Sequence, residues 1–216
     1  MTGPPGVAAF DFDGTLVAGD SLHRFLARLI GPVRFYTRTA RAALPMALAY
    51  GRHGRDGSKR VLLARSVSGL AVEAVEAAGR EFGAELAGRI RPELAQWMAW
   101  HDGRGHRRVL VSASLAVYLE PFGRLTGFDH VIATRLACGP DGRLTGQLDG
   151  DNVRAHEKAR RLRQLLGPEP VELWAYGDSA GDREMLAMAQ HPTMVGRRPS
   201  PPPVPVPALD GTDWGP

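Results

Sequence analysis

The 216-residue sequence has little of what several protein classes require. Cys138 is its only cysteine, so it can form neither an internal disulfide nor a cysteine-based zinc site. No run of eighteen or more apolar residues exists, so no segment is expected to span a bilayer. Acidic residues follow the first apolar residues closely, which disfavours a secretory leader. We therefore expect a cytoplasmic protein without disulfides or transmembrane helices.

What is present is typical of a globular chain, with 44% hydrophobic and 23% charged residues. The net charge of +4 suits anionic ligands, but the excess is too small to require nucleic acid, and no nucleic-acid partner is expected. Neither the charge nor the length indicates an oligomeric state. Seven of the seventeen prolines follow Arg197, which predicts a poorly ordered tail over residues 197–216.

Short apolar runs alternate with helical patterns, except in one long stretch. Strands are predicted at residues 7–10, 108–111, 130–134, 171–176 and 193–195, and a β-hairpin at residues 136–148. Helices are predicted at residues 92–101, 115–122, 151–166 and 183–190. Residues 18–91 are helical throughout, with a bend at residues 51–57. This pattern predicts an α/β core of residues 1–17 and 92–196 with a Rossmann-like parallel sheet, interrupted by an all-helical cap at 18–91.

Polar residues at strand ends are the candidates for chemistry, since open α/β sheets bind ligands there. Asp11 and Asp13 follow the first strand, and two such carboxylates can divide nucleophilic attack and proton transfer. Asp178 follows the fourth of the listed strands and can complete a site for a hard cation such as Mg2+. An acidic turn and a helix cap are the alternatives for these two acidic segments, and Asp182 in particular is placed to cap the next helix.

The remaining candidates are a serine, a lysine and four histidines. For each of them, an ordinary structural role explains the sequence at least as well as a functional role does. Ser112 ends the second strand, where its hydroxyl can bind phosphate or cap a helix. Lys158 is one of five basic residues in its helix and by itself predicts a solvated cation. His23, His53, His101 and His156 have no metal-ligand spacing and are expected at the surface or at helix caps.

The order of these motifs resembles the haloacid dehalogenase (HAD) superfamily, in its phosphoserine-phosphatase-like branch, subfamily IB. The resemblance covers residues 6–196 and depends on the segments AFDFDGTLVAGDS, VLVSASLAVYLEPF, DGRLTGQL and YGDSAGDREML, together with Lys158. It implies a hydrolase of phosphate monoesters with a helical (C1-type) cap, acting through an aspartyl-phosphate.

The resemblance assigns roles to individual residues. Asp11 would be the nucleophile and Asp13 the acid and base, and Mg2+ would be held by the Asp11 side chain, the Asp13 backbone carbonyl and Asp178. Ser112, Lys158 and Gly14 would bind phosphate, and Asp182 would support the metal or Lys158 from behind. Asp20 would contact the substrate, or cap a helix.

Two departures from phosphoserine phosphatases leave the substrate open. Gly181 stands where they carry asparagine, and Asp20 where they carry a longer glutamate. Phosphoserine, histidinol phosphate, another amino-alcohol phosphate and a lipid head-group phosphate all fit the pattern. Phosphotransfer to an acceptor other than water and a non-enzymatic binding domain are the rival functions. The arginine-rich cap has two interpretations. It attracts an anionic substrate or a membrane surface, or it is simply a basic face in contact with solvent.

Overall fold

A computed structural model describes residues 4–196, and the predicted tail at 197–216 lies outside them. Its strands form one six-stranded sheet in the order β4-β3-β2-β1-β5-β6, in which only β4 is antiparallel to its neighbour. The strands are β1 (Gly6–Phe10), β2 (Arg107–Leu115), β3 (His130–Cys138), β4 (Leu144–Asp149), β5 (Glu172–Gly177) and β6 (His191–Met194). The predicted α/β class with a parallel sheet is confirmed.

Helices cover both faces of this sheet and fill the long interval between β1 and β2. They are α1 (Ser21–Ile30), α2 (Pro32–Arg41), α3 (Ala43–Val67), α4 (Val72–Ala87), α5 (Pro92–Asp102), α6 (Ala116–Thr126), α7 (His156–Leu166) and α8 (Arg183–Ala187). Between α3's ends the backbone leaves helical geometry only at His53 and Gly54, a narrower bend than predicted. The predicted β-hairpin is present as β3 and β4.

Strand β1 lies at the centre of the sheet because both of its faces are apolar. Val7 and Ala9 pack with α7 and α8 on one face, and Ala8 and Phe10 pack in the larger core on the other. All four side chains are fully buried, as expected for a parallel strand covered on both sides.

The chain leaves and re-enters this core at adjacent points. Val17 forms an antiparallel bridge with Ile90, and the Arg91 N–H donates to the Leu16 carbonyl at 2.9 Å. Helices α1 to α4 are therefore an insertion whose two ends lie side by side. Both ends are next to the loop that follows β1, residues 11–17, which we call the β1 loop.

Three local predictions are wrong. Strand β2 continues to Leu115, so Ser112 lies within the strand and is not a helix cap. Helix α7 begins at His156 instead of 151, because Ala155 adopts a positive φ of 51° that a helix does not allow. His101 is completely buried, with its Nε2 3.0 Å from the Tyr176 hydroxyl, and is not a surface residue.

Candidate active site

The eight residues singled out in the sequence line one cavity at the carboxyl ends of the strands. Its volume is about 1120 Å³, and the helices of the insertion form its opposite wall. The eight residues are Asp11, Asp13, Gly14, Asp20, Ser112, Lys158, Asp178 and Asp182. Segments far apart in the chain are thus brought together at the sheet edge where open α/β folds bind ligands.

Asp11 is held rigidly at the floor of the cavity. Its side chain is nearly buried, accepting a hydrogen bond from Thr15 Oγ1 at 3.0 Å and another from Lys158 Nζ. Burial raises the pKa of Asp11 to about 7, and Asp182 adds to this rise while the Lys158 ammonium opposes it. A carboxylate fixed in this way is oriented before any ligand arrives.

Lys158 lies between two buried carboxylates. Its ammonium donates to Asp11 Oδ1 and to Asp182 Oδ1, the latter at 2.6 Å, and its side chain is only 4% exposed. Burial alone would lower the pKa of Lys158, but the two carboxylates outweigh it and raise the pKa instead. The solvated-cation interpretation is therefore wrong, and Lys158 places a positive charge beside Asp11.

Asp182 is free to bond this lysine because Ser179, and not Asp182, caps the helical turn that begins at Ala180. Asp182 Oδ2 accepts hydrogen bonds from the Ser179 N–H at 3.0 Å and from Ser179 Oγ at 2.9 Å, in a capping box. No side-chain bond from Asp182 caps α8, so that alternative is wrong. Gly177 makes room for it, since a Cβ there would lie 2.5 Å from the Asp182 Cβ.

Asp178 is more exposed and faces Asp11 across Gly14. Carboxylate oxygens of Asp11, Asp178 and Asp182 lie within 4.8 Å of one another. Burial raises the pKa of Asp178, and the nearby Asp182 charge adds to the rise. Gly14 has φ of +82°, and any Cβ there would overlap Asp178 Oδ2. The Gly14 N–H donates to the Val17 carbonyl at 2.8 Å, so its role in this conformation is to leave space for Asp178.

Asp13 has partners separate from those of Asp11. Its carboxylate accepts hydrogen bonds from the Ser21 N–H at 2.8 Å, from Ser21 Oγ at 2.9 Å and from Ser114 Oγ. Ser21 Oγ also lies 2.9 Å from the Tyr118 hydroxyl. Burial raises the pKa of Asp13, although these hydrogen bonds counteract it. A raised pKa favours the protonated form of the carboxyl group, which a general acid needs.

Ser112 and Asp20 also line the cavity. Ser112 is buried in β2, and its Oγ accepts a hydrogen bond from the Ser114 N–H at 3.0 Å. Asp20 caps α1 by accepting from the His23 N–H at 3.0 Å, which was one of its two predicted roles. This cap uses only one carboxylate oxygen, so the second predicted role of Asp20, contact with a substrate, stays a prediction.

The insertion contributes a cation that the sequence did not single out as a site residue. Lys59 of α3 donates from Nζ to the Ala113 carbonyl and to Asn152 Oδ1, both at 2.5 Å. Asn152 in turn donates to Asp56 Oδ1 at 2.7 Å. Burial lowers the pKa of Lys59 to about 8. The spacing of Asp56 and Lys59 on one helical face was the available indication, but it is common on solvated helices.

The three clustered carboxylates fit a hard divalent cation. Mg2+ prefers carboxylate oxygens, and two of the three side chains are buried, with Lys158 as their one ion-pair partner among residues 4–196. The structure groups Asp182 with Asp11 and Asp178, whereas the Asp13 side chain is engaged by serines. This is compatible with the resemblance, which implies that Asp13 would contribute its backbone carbonyl and not its side chain.

Comparisons with known proteins identify the family of this chain. A family model described as haloacid dehalogenase-like hydrolase matches residues 8–187. Protein CicA of Caulobacter vibrioides is 40% identical over 196 residues, covering 88% of this chain and 87% of that protein. The phosphoserine phosphatase of Methanocaldococcus jannaschii is 28% identical over 185 residues (83% and 80%), and the histidinol-phosphatase of Neisseria meningitidis serogroup C is 30% identical over 123 residues (54% and 55%).

Solved structures show the same fold. A protein of unknown function from Bordetella pertussis Tohama I superposes with a TM-score of 0.71 at 22% identity, covering 92% of each chain. A phospho-aspartyl intermediate analogue of phosphoserine phosphatase gives 0.60 at 24% identity, covering 90% of this chain and 86% of that one. The chain belongs to the haloacid dehalogenase-like hydrolase family, as a phosphoserine-phosphatase-like member.

Proposed function

We propose that this hydrolase removes phosphate from a small organic phosphate monoester through a covalent aspartyl-phosphate on Asp11, with Mg2+ as cofactor. The observation that supports this most directly is the buried Asp11–Lys158–Asp182 arrangement in the cavity floor. Asp182 holds Lys158, Lys158 holds one oxygen of Asp11, and Asp11 borders the cavity. This is the arrangement that an oriented nucleophile beside a phosphoryl-binding cation requires.

The first step of the proposed reaction transfers the phosphoryl group. A carboxylate oxygen of Asp11 attacks phosphorus while the bond from phosphorus to the ester oxygen breaks. Asp13, whose pKa is raised by burial, gives its proton to the departing alkoxide, so that a neutral alcohol leaves. Lys158, together with Ser112 and a backbone N–H of the β1 loop, would bind the phosphoryl oxygens.

The second step reverses the role of Asp13. As a carboxylate it takes a proton from water, and the water oxygen attacks phosphorus and releases Asp11 as the leaving group. Inorganic phosphate leaves, and Asp13 again holds a proton. Ser21 and Ser114 keep the Asp13 carboxyl group in place through both steps.

The charge of the cavity explains why a metal belongs to the proposal. Asp11, Asp178 and Asp182 together present more negative charge than Lys158 neutralises, and this repels an anionic substrate. Bound Mg2+ would supply positive charge on the phosphoryl group and would orient it. Asp11 and Asp178 would hold it from their side chains, with Asp13 contributing its carbonyl and Asp182 supporting from behind.

We further propose that residues 18–91 act as a cap over this site. Lys59 reaches the core from the cap side of the cavity, and Asp20 and His23 lie at its rim. An amino-alcohol phosphate, such as the substrates that give phosphoserine phosphatase and histidinol-phosphatase their names, would place its phosphate on Lys158 and its amino group near Asp20. A cytoplasmic location is part of this proposal, because a single cysteine suits a reducing compartment.

The test is turnover of a panel of phosphate monoesters by the purified full chain. Phosphate release should need Mg2+, should stop with EDTA and should return when Mg2+ is added in excess. Asp11→Asn should lower kcat by at least about a thousandfold, because the amide cannot form the intermediate. Asp149→Asn, an exposed acid at the end of β4, is the matched control and should retain full activity.

Each rival function has a distinct outcome in this assay. Turnover retained by Asp11→Asn contradicts the nucleophile, and activity that EDTA does not affect contradicts the metal. Phosphate transferred to an added alcohol without release of free phosphate would establish a phosphotransferase. Salt-sensitive binding to nucleic acid that Asp11→Asn leaves intact, without turnover of any ester, would favour the non-enzymatic alternative.

A further inference from the structure

An apolar surface on the insertion is left uncovered in the described chain. Helix α2 and the first part of α3 carry five of the seven large hydrophobic side chains that are exposed in residues 4–196. Val33 is 78% exposed, Tyr36 67% and Leu44 70%. Leu48 and Tyr50 complete the set, which we call the α2–α3 face. Exposed apolar residues are normal when scattered, but their concentration on two adjacent helices indicates a contact surface.

The spacing of these residues is that of amphipathic helices. Val33, Tyr36 and Ala40 follow each other at intervals of three and four along α2, and all are exposed. In α3, Ala47 and Leu48 lie three and four residues after Leu44, and all three are exposed. Each helix therefore turns one apolar stripe to solvent, whereas only Phe35 of α2 is buried.

The same segment is strongly and uniformly basic. Residues 21–55 contain seven arginines and no aspartate or glutamate. Arg24 and Arg28 pair with glutamates of α4, but within residues 4–196 no carboxylate lies within 4.0 Å of Arg34, Arg41 or Arg52. An exposed apolar stripe flanked by unpaired arginines needs a partner that offers both an apolar phase and negative charge.

We propose that the α2–α3 face docks on an anionic lipid bilayer. The acyl region accepts apolar side chains such as Leu44 and Tyr36, and the negatively charged headgroups accept the arginines, as for interfacial amphipathic helices. A second copy of the chain fits less well, because a twofold contact across this face would bring the arginines of both copies together without any acid between them.

The face is continuous with the mouth of the cavity. Met46 and Tyr50 belong to the same part of α3 and also line the cavity. Docking would therefore place the opening beside the headgroup layer. This inference concerns binding and does not depend on the proposed hydrolysis.

Sedimentation of the full chain with lipid vesicles tests the inference. Vesicles of phosphatidylcholine with phosphatidylglycerol should bind the protein at least about tenfold more tightly than vesicles of phosphatidylcholine alone, and added salt should weaken the binding. Arg34→Glu with Arg41→Glu should reduce the affinity by about tenfold or more, and so should Leu44→Glu with Leu48→Glu.

Matched controls separate docking from a general effect of charge or folding. Arg124→Glu and Leu125→Glu change exposed residues of α6 and should bind like the unmodified chain. All variants should show unaltered circular dichroism and equal hydrolysis of soluble para-nitrophenyl phosphate, if that ester is a substrate.

Three outcomes would overturn the proposal. They are absence of binding to anionic vesicles, equal binding to neutral ones, and a loss of binding in the α6 controls as large as in the α2–α3 variants. A dimer in sedimentation velocity that Leu44→Glu dissociates would assign the face to a second copy instead. A failure of catalysis alone would leave vesicle binding unchanged, so the two proposals fail separately.

Discussion

Helices α4 and α2 belong to the same insertion but differ sharply in burial. Helix α4 buries five residues along its length, including Gly79, Phe82 and Gly83, and packs closely on α6 of the core. Helix α2 buries only Phe35. Helix α4 therefore anchors the insertion to the core, whereas α2 and the start of α3 leave most of their side chains exposed and available for contacts outside the molecule.

The largest expected effect on stability comes from Phe82, an aromatic side chain of α4. Phe82 is buried, with its ring centroid 5.3 Å from that of Tyr118 and 5.5 Å from that of Phe25. Phe82→Ala should lower the free energy of unfolding by about 3–5 kcal/mol. Tyr36→Ala on α2 should change it by no more than about 0.5 kcal/mol. Urea unfolding of both variants checks the contrast, and similar losses would contradict it.

Two glycine-to-alanine substitutions, one in α4 and one in α3, should change the stability of the protein in opposite directions. A Cβ on Gly83 would lie 2.6 Å from the Tyr118 carbonyl oxygen, so Gly83→Ala should force α4 away from α6 and cost about 1–3 kcal/mol. A Cβ on Gly51 in α3 would meet no atom within 4 Å. Gly51→Ala should therefore stabilise the protein by up to about 1 kcal/mol, since alanine favours the helix. Thermal unfolding would contradict this account if both variants shifted the midpoint in one direction.

The smallest expected effect is on KM and concerns Lys59. This residue lies in α3 between the exposed first part of the helix and its buried last turns. Burial lowers its pKa to about 8, so its charge is present below that pH and is lost as the pH rises through it. If the charge attracts the phosphate ester, KM should rise above pH 8 by less than about tenfold. Lys59→Gln should have the higher KM at all pH values, and Arg60→Gln, on an exposed neighbour, should keep the normal profile. A KM that does not change between pH 7 and 9 would contradict this role.

The sequence predicted the centre of the sheet well because β1, β2 and β5 are buried on both faces. Residues 7–10 form a continuous apolar run that ends in Asp11, and such a run has few alternatives to a central strand. Asp11, Asp13 and Asp178 could be named because each follows a strand, and the topology gathers strand ends at one edge.

What the sequence missed depends on contacts between distant segments. Composition alone does not distinguish Lys158 from its basic neighbours, and only the resemblance singled it out before Asp11 and Asp182 were seen to surround it. Asp182 was interpreted as a possible helix cap, although the spacing of Ser179 and Asp182 is that of a capping box in which Ser179 takes this role. His101 is polar, and its burial is acceptable because its Nε2 lies 3.0 Å from the Tyr176 hydroxyl and its Nδ1 lies 2.8 Å from His106 Nδ1. Asn152 and Lys59 likewise acquire partners only through the tertiary fold.

The central claim is that Asp11 carries the phosphoryl group during turnover. The most direct measurement is to quench the enzyme with acid while it hydrolyses a saturating ester and to locate the phosphate by peptide mass spectrometry. The account predicts acid-stable phosphate on Asp11 that is lost in alkali, and none in Asp11→Asn. Phosphate on another residue, or turnover during which no phosphorylated peptide is found, would contradict it.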